Sequence, residues 1–303
     1  LFLFLGSLGT LGATVNHPVE CSLYTGYRND RLHWHLQDGG SGLLNYSERY
    51  KNEQFWENGL AFQGIYRDLA FFARGSYAAF GRGTLQQRYA ALAGGAGPFD
   101  FHFDTEGWAA DADGYFGYAV NLTPDRTYTV IILPLVGYSA HFERSHIRHG
   151  NTETISLSGG SFSSFPPGGY RTCFYGFFAG ANWQIEPGGR LLFSGGYHYH
   201  WLNARFRAFF ADRNEISIPQ TDTAYPVRAH GNGNIGQTGW VQGEYRIDSY
   251  WKAGIGAQVH YFSSRLLDAS VAAHSNTKKT PFSQKLKVRW TPISGYILVS
   301  REL

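Results

Sequence analysis

Several things are scarce in this sequence. Methionine is absent, cysteine occurs twice, and charged residues make up only 16% of 303 positions. No apolar run is long enough to cross a bilayer as a helix, which takes about 20 residues. The mean hydropathy of −0.30 likewise excludes a bundle of such helices. No basic block accompanies the net charge of +3, so nucleic acid is not an expected partner. The chain also begins without Met and without a basic leader. Residues 1–13, LFLFLGSLGTLGA, have the length and the small-residue ending of the apolar part of a signal peptide. The expectation is a signal segment truncated at its N-terminus over 1–13, followed by one domain over 14–303.

What is abundant points the same way. There are 38 glycines, 20 tyrosines, 23 phenylalanines and 8 tryptophans, and they alternate instead of clustering. Between Tyr170 and Trp201, one face of an extended strand takes Cys173, Tyr175, Phe177, Ala179, Ala181 and Trp183. Thr172, Gly176, Gly180 and Asn182 take the other. After Glu186-Pro187-Gly188-Gly189 the alternation resumes, with Leu191, Phe193, Tyr197, Tyr199 and Trp201 opposite Ser194, Gly196, His198 and His200. Period-two alternation across a Pro-Gly turn is the pattern of an antiparallel hairpin. Each arm is long enough to cross a bilayer as a tilted strand, which needs about 9–11 residues.

The same pattern recurs along the chain. Connections near 67–68, 122–126, 185–190 and 247–250 are short, while those near 38–53, 82–106, 148–169, 207–232 and 268–283 are long. Strict alternation of short and long fits an all-β, transmembrane, antiparallel up-and-down β-barrel of about ten strands, with short periplasmic turns and long extracellular loops. Pro134, inside the apolar run VIILPLVGY, removes a ladder donor and predicts a bulge or break there.

Several segments resemble the Protochlamydia-type outer membrane proteins, porin-like barrels of environmental chlamydiae. They are GYRNDRLHWHL at 26–36, DADGYFGYAVNL at 111–122, PLVGYSAHFERSHI at 134–147, YHYHW at 197–201, AHGNGNIGQTGWVQGEYR at 229–246 and VRW at 288–290. The resemblance implies a bacterial outer-membrane location and passive diffusion of small hydrophilic solutes. Outer-membrane lipid and the barrel assembly machinery are the further partners it implies. The chain departs from such barrels at Ser300-Arg301-Glu302-Leu303, where an aromatic last residue is usual.

The strand phases give candidate lumen-lining residues: Arg31, His33, His35, Arg74, His198, His200, Glu244, Lys252, His260, Lys285, Lys287 and Arg289. Cations outnumber acids in that set, which predicts a weak anion preference. His198 and His200 share a strand face, but two ligands do not complete a metal site. A lumen hydrogen-bonding role is expected for them, and no cofactor is. The runner-up functions are an omptin-like protease and a structural or adhesive envelope protein. The protease would draw a paired Asp-Asp and an Asp-His dyad from Asp104, Asp111, Asp212, Asp222, His146, His149 and His230. Cys21 and Cys173 fall at opposite ends of the expected barrel, too far apart to bridge, and are expected to be free.

Overall fold

A computed structural model describes residues 15–37, 46–89, 99–123, 128–147, 155–157, 160–162, 168–209, 227–264, 267–275 and 278–303. The expected signal segment at 1–13 lies outside them. Among the described residues there are strands and no helix. The first six strands are β1 (His17–Gln37), β2 (Tyr46–Tyr66), β3 (Leu69–Tyr89), β4 (Phe99–Tyr118), β5 (Val120–Asn121) and β6 (Thr129–Ile147). They are followed by β7 (Ile155–Leu157), β8 (Gly160–Phe162), β9 (Gly169–Glu186), β10 (Leu191–Phe209) and β11 (Val227–Arg246). β12 (Trp251–Ser263), β13 (Leu267–Ser275), β14 (Lys278–Trp290) and β15 (Ile293–Glu302) complete the chain.

Thirteen segments form one sheet in the order β4-β3-β2-β1-β15-β12-β14-β13-β11-β10-β9-β6-β5, and the added pairing of β4 with β6 joins its two ends. Every pairing is antiparallel. The sheet is therefore a closed ring with no free edge, which is what a β structure needs in hydrocarbon, where no water can satisfy an unpaired amide. β7 and β8 pair only with each other, in the connection between β6 and β9.

Local chemistry sets the turns and breaks. Arg67 (φ 47°) and Asp68 (φ 69°) both have left-handed backbones, as a two-residue type I′ hairpin turn requires. The start of the described chain ties this turn down: Asp68 N–H donates to Val15 O at 3.0 Å, and Arg67 N–H to Asn16 Oδ1 at 2.7 Å. Gly188 and Gly189 carry positive φ in the β9–β10 turn. Pro134 does not break its own strand, since β6 keeps register with β9 on both sides of it. The interruption falls on the neighbour, where β4 stops at Tyr118 and β5 resumes at Val120. Pro134 has no N–H to offer that strand.

The expected loops are shorter than read. β2 already runs over 46–53, β3 over 82–89, β4 over 99–106, β11 over 227–232, and β13 and β14 occupy most of 267–283. These stretches look polar because the meaning of alternation reverses along each strand. In the lower part of β1, Leu23 and Tyr27 point outward and are exposed, while Arg28 and Asp30 are buried inside. Higher up, Leu32 and Trp34 are buried inside, while Arg31 is exposed outside. On β12 the outward set runs Trp251, Ala253, Ile255, Ala257, Val259 and Tyr261. At about 3.3 Å per residue that is about 33 Å of strand, or about 25 Å of height at a usual barrel tilt. Trp251 and Tyr261 sit at its two ends, where an interfacial girdle belongs.

Replacing Ile255, which is 68% exposed, with Arg places a charge near the middle of the lipid-facing band. The expected cost is about 2–4 kcal/mol, whereas Arg31→Leu above the band should stay within about 0.5 kcal/mol. Urea unfolding of the chain reconstituted in lipid vesicles compares the two; equal losses would contradict the assigned band.

Candidate functional site

The interior divides into a lower polar region and an upper apolar one. At the short-turn end, Lys252 Nζ donates to Glu20 Oε2 at 2.6 Å and lies 3.1 Å from Glu302 Oε1. These residues are brought together because β12 and β1 both flank β15. Above them is a cavity of about 150 Å³. Its walls include Glu20, Tyr24, Arg74, Asp113, Tyr115, Asn182, Gln242 and Glu244, and it ends upward at His141, His200 and His260. Asn182 joins the Tyr115 hydroxyl (2.9 Å) to His198 Nε2 (2.9 Å). Ala70, Ile131, Leu133 and Phe178, part of a small apolar cluster, line one side. This accounts for the continuous apolar run in β6, which is buried on its inner face and exposed in the lipid band at Ile132 and Val136 on its outer one.

A buried ionic layer roofs the cavity. Arg28 grips Asp30 with two parallel bonds, Nε to Oδ1 at 2.7 Å and NH2 to Oδ2 at 2.8 Å. Its remaining NH1 reaches across to Asp111 on β4. Such forked pairs are strong and fix direction as well as charge. Asp111 also binds His141 Nδ1 at 2.9 Å, and Trp290 Nε1 donates to Asp30 at 3.1 Å. Thr238 links His260 Nδ1 and His200 Nε2, each at 2.9 Å, and Ser139 takes up His200 Nδ1 at 3.0 Å. Gln258 bridges His260 to Arg74, which also pairs with Asp113 at 2.6 Å. The network draws on strands all round the ring, so it holds opposite walls at a fixed separation.

Above this layer the interior is filled. Leu32, Trp34, Tyr50, Tyr170, Phe174, Phe206, Phe262, Val288 and Trp290 belong to one buried apolar core. Rings from strands that are not neighbours touch across the barrel: Trp34 of β1 lies 5.2 Å from Phe206 of β10, and Tyr50 of β2 lies 4.3 Å from Tyr170 of β9. Phe174 of β9 is 6.1 Å from Trp290 of β14. Glu53 sits within this core and accepts from the Tyr170 hydroxyl at 2.9 Å and from Ser145.

The structure divides the predicted lining set. Arg74, His198, His200, Glu244, Lys252 and His260 lie inside the ring, in the network or cavity just described. Arg31, His33, His35, Lys285, Lys287 and Arg289 do not. They alternate with Leu32, Trp34, Leu286, Val288 and Trp290, which are at most 1% exposed, and so face outward. The stacked pair His33–His35, with centroids 5.9 Å apart, lies on that outer face. The physical reason is that β1 and β14 rise above the bilayer there, where water takes the charged face and the core takes the apolar one. The expected anion preference loses its basis. Buried charges among the described residues are Glu20, Asp30, Glu48, Glu53, Glu57, Asp111, Glu143 and Glu244 against Arg28 and Lys252.

The rim residues proposed for proteolysis are scattered. Asp111 is not at the rim but buried in the ionic layer. Asp104 and His230 face outward, and His146 pairs with Glu106 at 3.0 Å on the outer wall. Asp212, Asp222 and His149 lie outside the described residues. Outside the membrane band, a hydrogen bond and the charge of Lys285 hold the exposed Asp268 carboxyl below its usual range. Among the described residues no three ligand-type side chains converge as a metal site. Cys21 and Cys173 are both free. Sequence reasoning missed Arg28, Asp30 and Glu53. The signal for the first two was there, as opposite charges two apart on one strand face.

Comparison with known proteins agrees with the architecture. A family model described as Protochlamydia outer membrane protein matches residues 22–302. The crystal structure of the outer membrane protease OmpT from Escherichia coli is similar, with TM-score 0.73 and 12% identity over 97% of this chain and 99% of that one. The outer membrane protein OprG from Pseudomonas aeruginosa matches with TM-score 0.35 and 9% identity over 95% and 98% of the two chains. No curated protein matches the sequence. The first structural likeness supports the fold, and with the family match it places the protein in the bacterial outer membrane.

If the ionic layer holds the walls together, Asp111→Asn should cost about 3 kcal/mol, the low end for a broken buried pair because Asp30 still holds Arg28. Arg28→Met should cost less in that background than alone, because it then leaves one buried carboxylate unpaired instead of two. Unfolding free energies of the two single variants and the double variant form the cycle, and simple additivity would contradict the coupling.

Proposed function

We propose that this chain, which belongs to the Protochlamydia outer membrane protein family, is a closed barrel that acts through its two ends and not by through-flow. With each interrupted strand (β4–β5, β12–β13, β14–β15) counted once, the thirteen sheet segments make a wall of ten positions. The short connections and the C-terminus then share one end, the periplasmic end in bacterial outer-membrane barrels, and the long connections face outside. On this reading the polar cavity is a periplasmic vestibule accessible to small hydrophilic solutes. The upper wall is a stalk that carries the loops beyond the membrane.

The observation behind the reading is the apolar core above the ionic layer. Passive diffusion of hydrophilic solutes needs an unbroken column of water, and here rings from opposing strands meet across the interior. Re-exposing Phe174, Phe206 and Phe262 alone would cost about 5–9 kcal/mol, at about 1.5–3 kcal/mol for each side chain. That penalty keeps an open state rare. Barrel size argues the same way, since interiors of about eight strands are filled by side chains and wide channels come with about 16–18. Likeness to a protease fold supplies no catalytic residues, and the described acid–histidine pair near the rim, His146–Glu106, lies on the outer wall. Catalysis is therefore not part of the proposal.

Planar-bilayer recording tests it. The wild-type chain is expected to be electrically silent, and a Phe262→Ala, Trp290→Ala variant, which hollows the core, to show conductance steps. Steps from the wild type would sink the closed reading and restore the porin.

A further inference from the structure

The outer wall above the aromatic girdle carries an arrangement that the closed-barrel reading does not use. Arg144 of β6 stands directly opposite Arg171 of β9, Arg171 opposite Arg207 of β10, and Arg207 opposite Arg228 of β11. Four adjacent strands thus present four arginines in one unbroken cross-strand row. All four face outward, because the residues on either side of each in sequence are buried: Glu143 and Ser145, Tyr170 and Thr172, Phe206 and Ala208, Val227 and Ala229.

Directly opposed residues in antiparallel strands have Cβ atoms about 4.5–5.5 Å apart, and like charges there are destabilising. Here that juxtaposition occurs three times in succession. Among the described residues nearby acids do not offset it evenly. Glu106, at one end, is engaged by His146, and Asp268, at the other, by Lys285. Arg171, Arg207 and Arg228 each have some further interaction within the protein, while the Arg144 Nε is buried without a hydrogen-bond partner. A row of forked guanidinium donors at this spacing matches phosphate groups, which accept two parallel bonds from each fork.

The height of the row identifies the source of the phosphate. Phe142 and Cys173, paired with each other and facing outward, lie two residues below Arg144 and Arg171. Two residues are about 7 Å of strand, or about 5 Å of height in a tilted barrel. That puts Arg144 and Arg171, the lower end of a row that climbs with the strand tilt, at the depth of the headgroup layer above the hydrocarbon. Lower still on the same strands come the exposed Tyr138 and Phe177, with ring centroids 5.3 Å apart, and Trp201. A lipid lying against this wall would meet aromatic and apolar side chains along its acyl chains and arginines at its headgroup.

We infer that the Arg144–Arg171–Arg207–Arg228 row is a docking face for a phosphate-bearing lipid of the outer leaflet. The inference rests on the orientation proposed above for its leaflet, though not for the binding itself. The test uses the full chain in phosphatidylcholine nanodiscs doped with bisphosphorylated lipid A in both leaflets, so that a wrong orientation leaves the result unchanged. Native mass spectrometry after transfer to detergent is expected to find lipid A retained and its dephosphorylated form lost. Arg171→Gln with Arg207→Gln should bind at least about tenfold more weakly, as expected when charge-assisted hydrogen bonds are removed. Arg207→Gln alone should fall in between and covers the case where the double variant does not fold. Arg31→Gln, on β1 away from the row, should bind as the wild type does. Equal retention of both lipids, or no effect of either variant, would overturn the inference. So would full displacement by inorganic phosphate, which would make this a site for soluble anions.

Discussion

In hydrocarbon an unpaired backbone amide has no water to turn to, so β1 must have both of its edges occupied before the chain can sit in a bilayer. One edge is taken by its sequence neighbour β2, from Glu20 opposite Gln63 to Leu36 opposite Tyr46. The other must be taken by segments more than 240 residues away, β15 low on the wall and β14 higher up. Pro292 and Thr291 interrupt that last strand, yet the seam stays joined: Thr291 N–H donates to Arg31 O at 2.9 Å, and Arg31 N–H to Thr291 O at 3.3 Å. Closure of this seam fixes which side chains face inward, and the ionic layer, the cavity and the core all follow from it.

Inside the closed ring, polarity changes with height. Within the membrane band the lipid takes the apolar face, and the interior must accommodate what remains. It does so by pairing charge with charge: Lys252 with Glu20, Arg74 with Asp113, Arg28 with Asp30 and Asp111. Above the band the outside is water, and the apolar face turns inward to make the core of Trp34, Phe174, Phe206, Phe262 and Trp290. Arg28 sits at the junction, with its guanidinium 5.5 Å from the centre of the Trp290 ring. It belongs to both regions, paired with carboxylates on one side and packed on an aromatic face on the other. A barrel built this way is stiff in its upper half, where a pore would have to be open. Its free volume lies toward the short-turn end.

The outer surface has the same two-part logic. Exposed apolar and aromatic side chains cover the band, and cations collect above it: Arg31, Arg289, Arg205 and the four-arginine row. Long cationic side chains suit that boundary because their stems lie on apolar surface while their ends reach the headgroups. At the lower boundary Arg301, 5.5 Å from the centre of the Trp251 ring, does the same. Its place outside the band explains how a charge is tolerated in the last strand.

The sequence by itself determined the class of fold, the two faces of nearly every strand within the band, and the turns at Arg67-Asp68 and Glu186–Gly189. Each of these is local, because a period of two and a pair of turn residues need nothing from the rest of the chain. Only the tertiary structure decided which face is inside. Alternation has a period but no sign. The sign is set by what lies outside the wall, lipid for Leu23 and Tyr27 but water for Arg31, His33 and His35 further along the same strand face. That is why six of the predicted lining residues, Lys285, Lys287 and Arg289 among them, turned out to face away from the interior. It is also why Asp111, read as a rim acid, proved to be the buried partner of Arg28. Their contacts join strands 83 residues apart, and register across a closed ring is not written in any one strand.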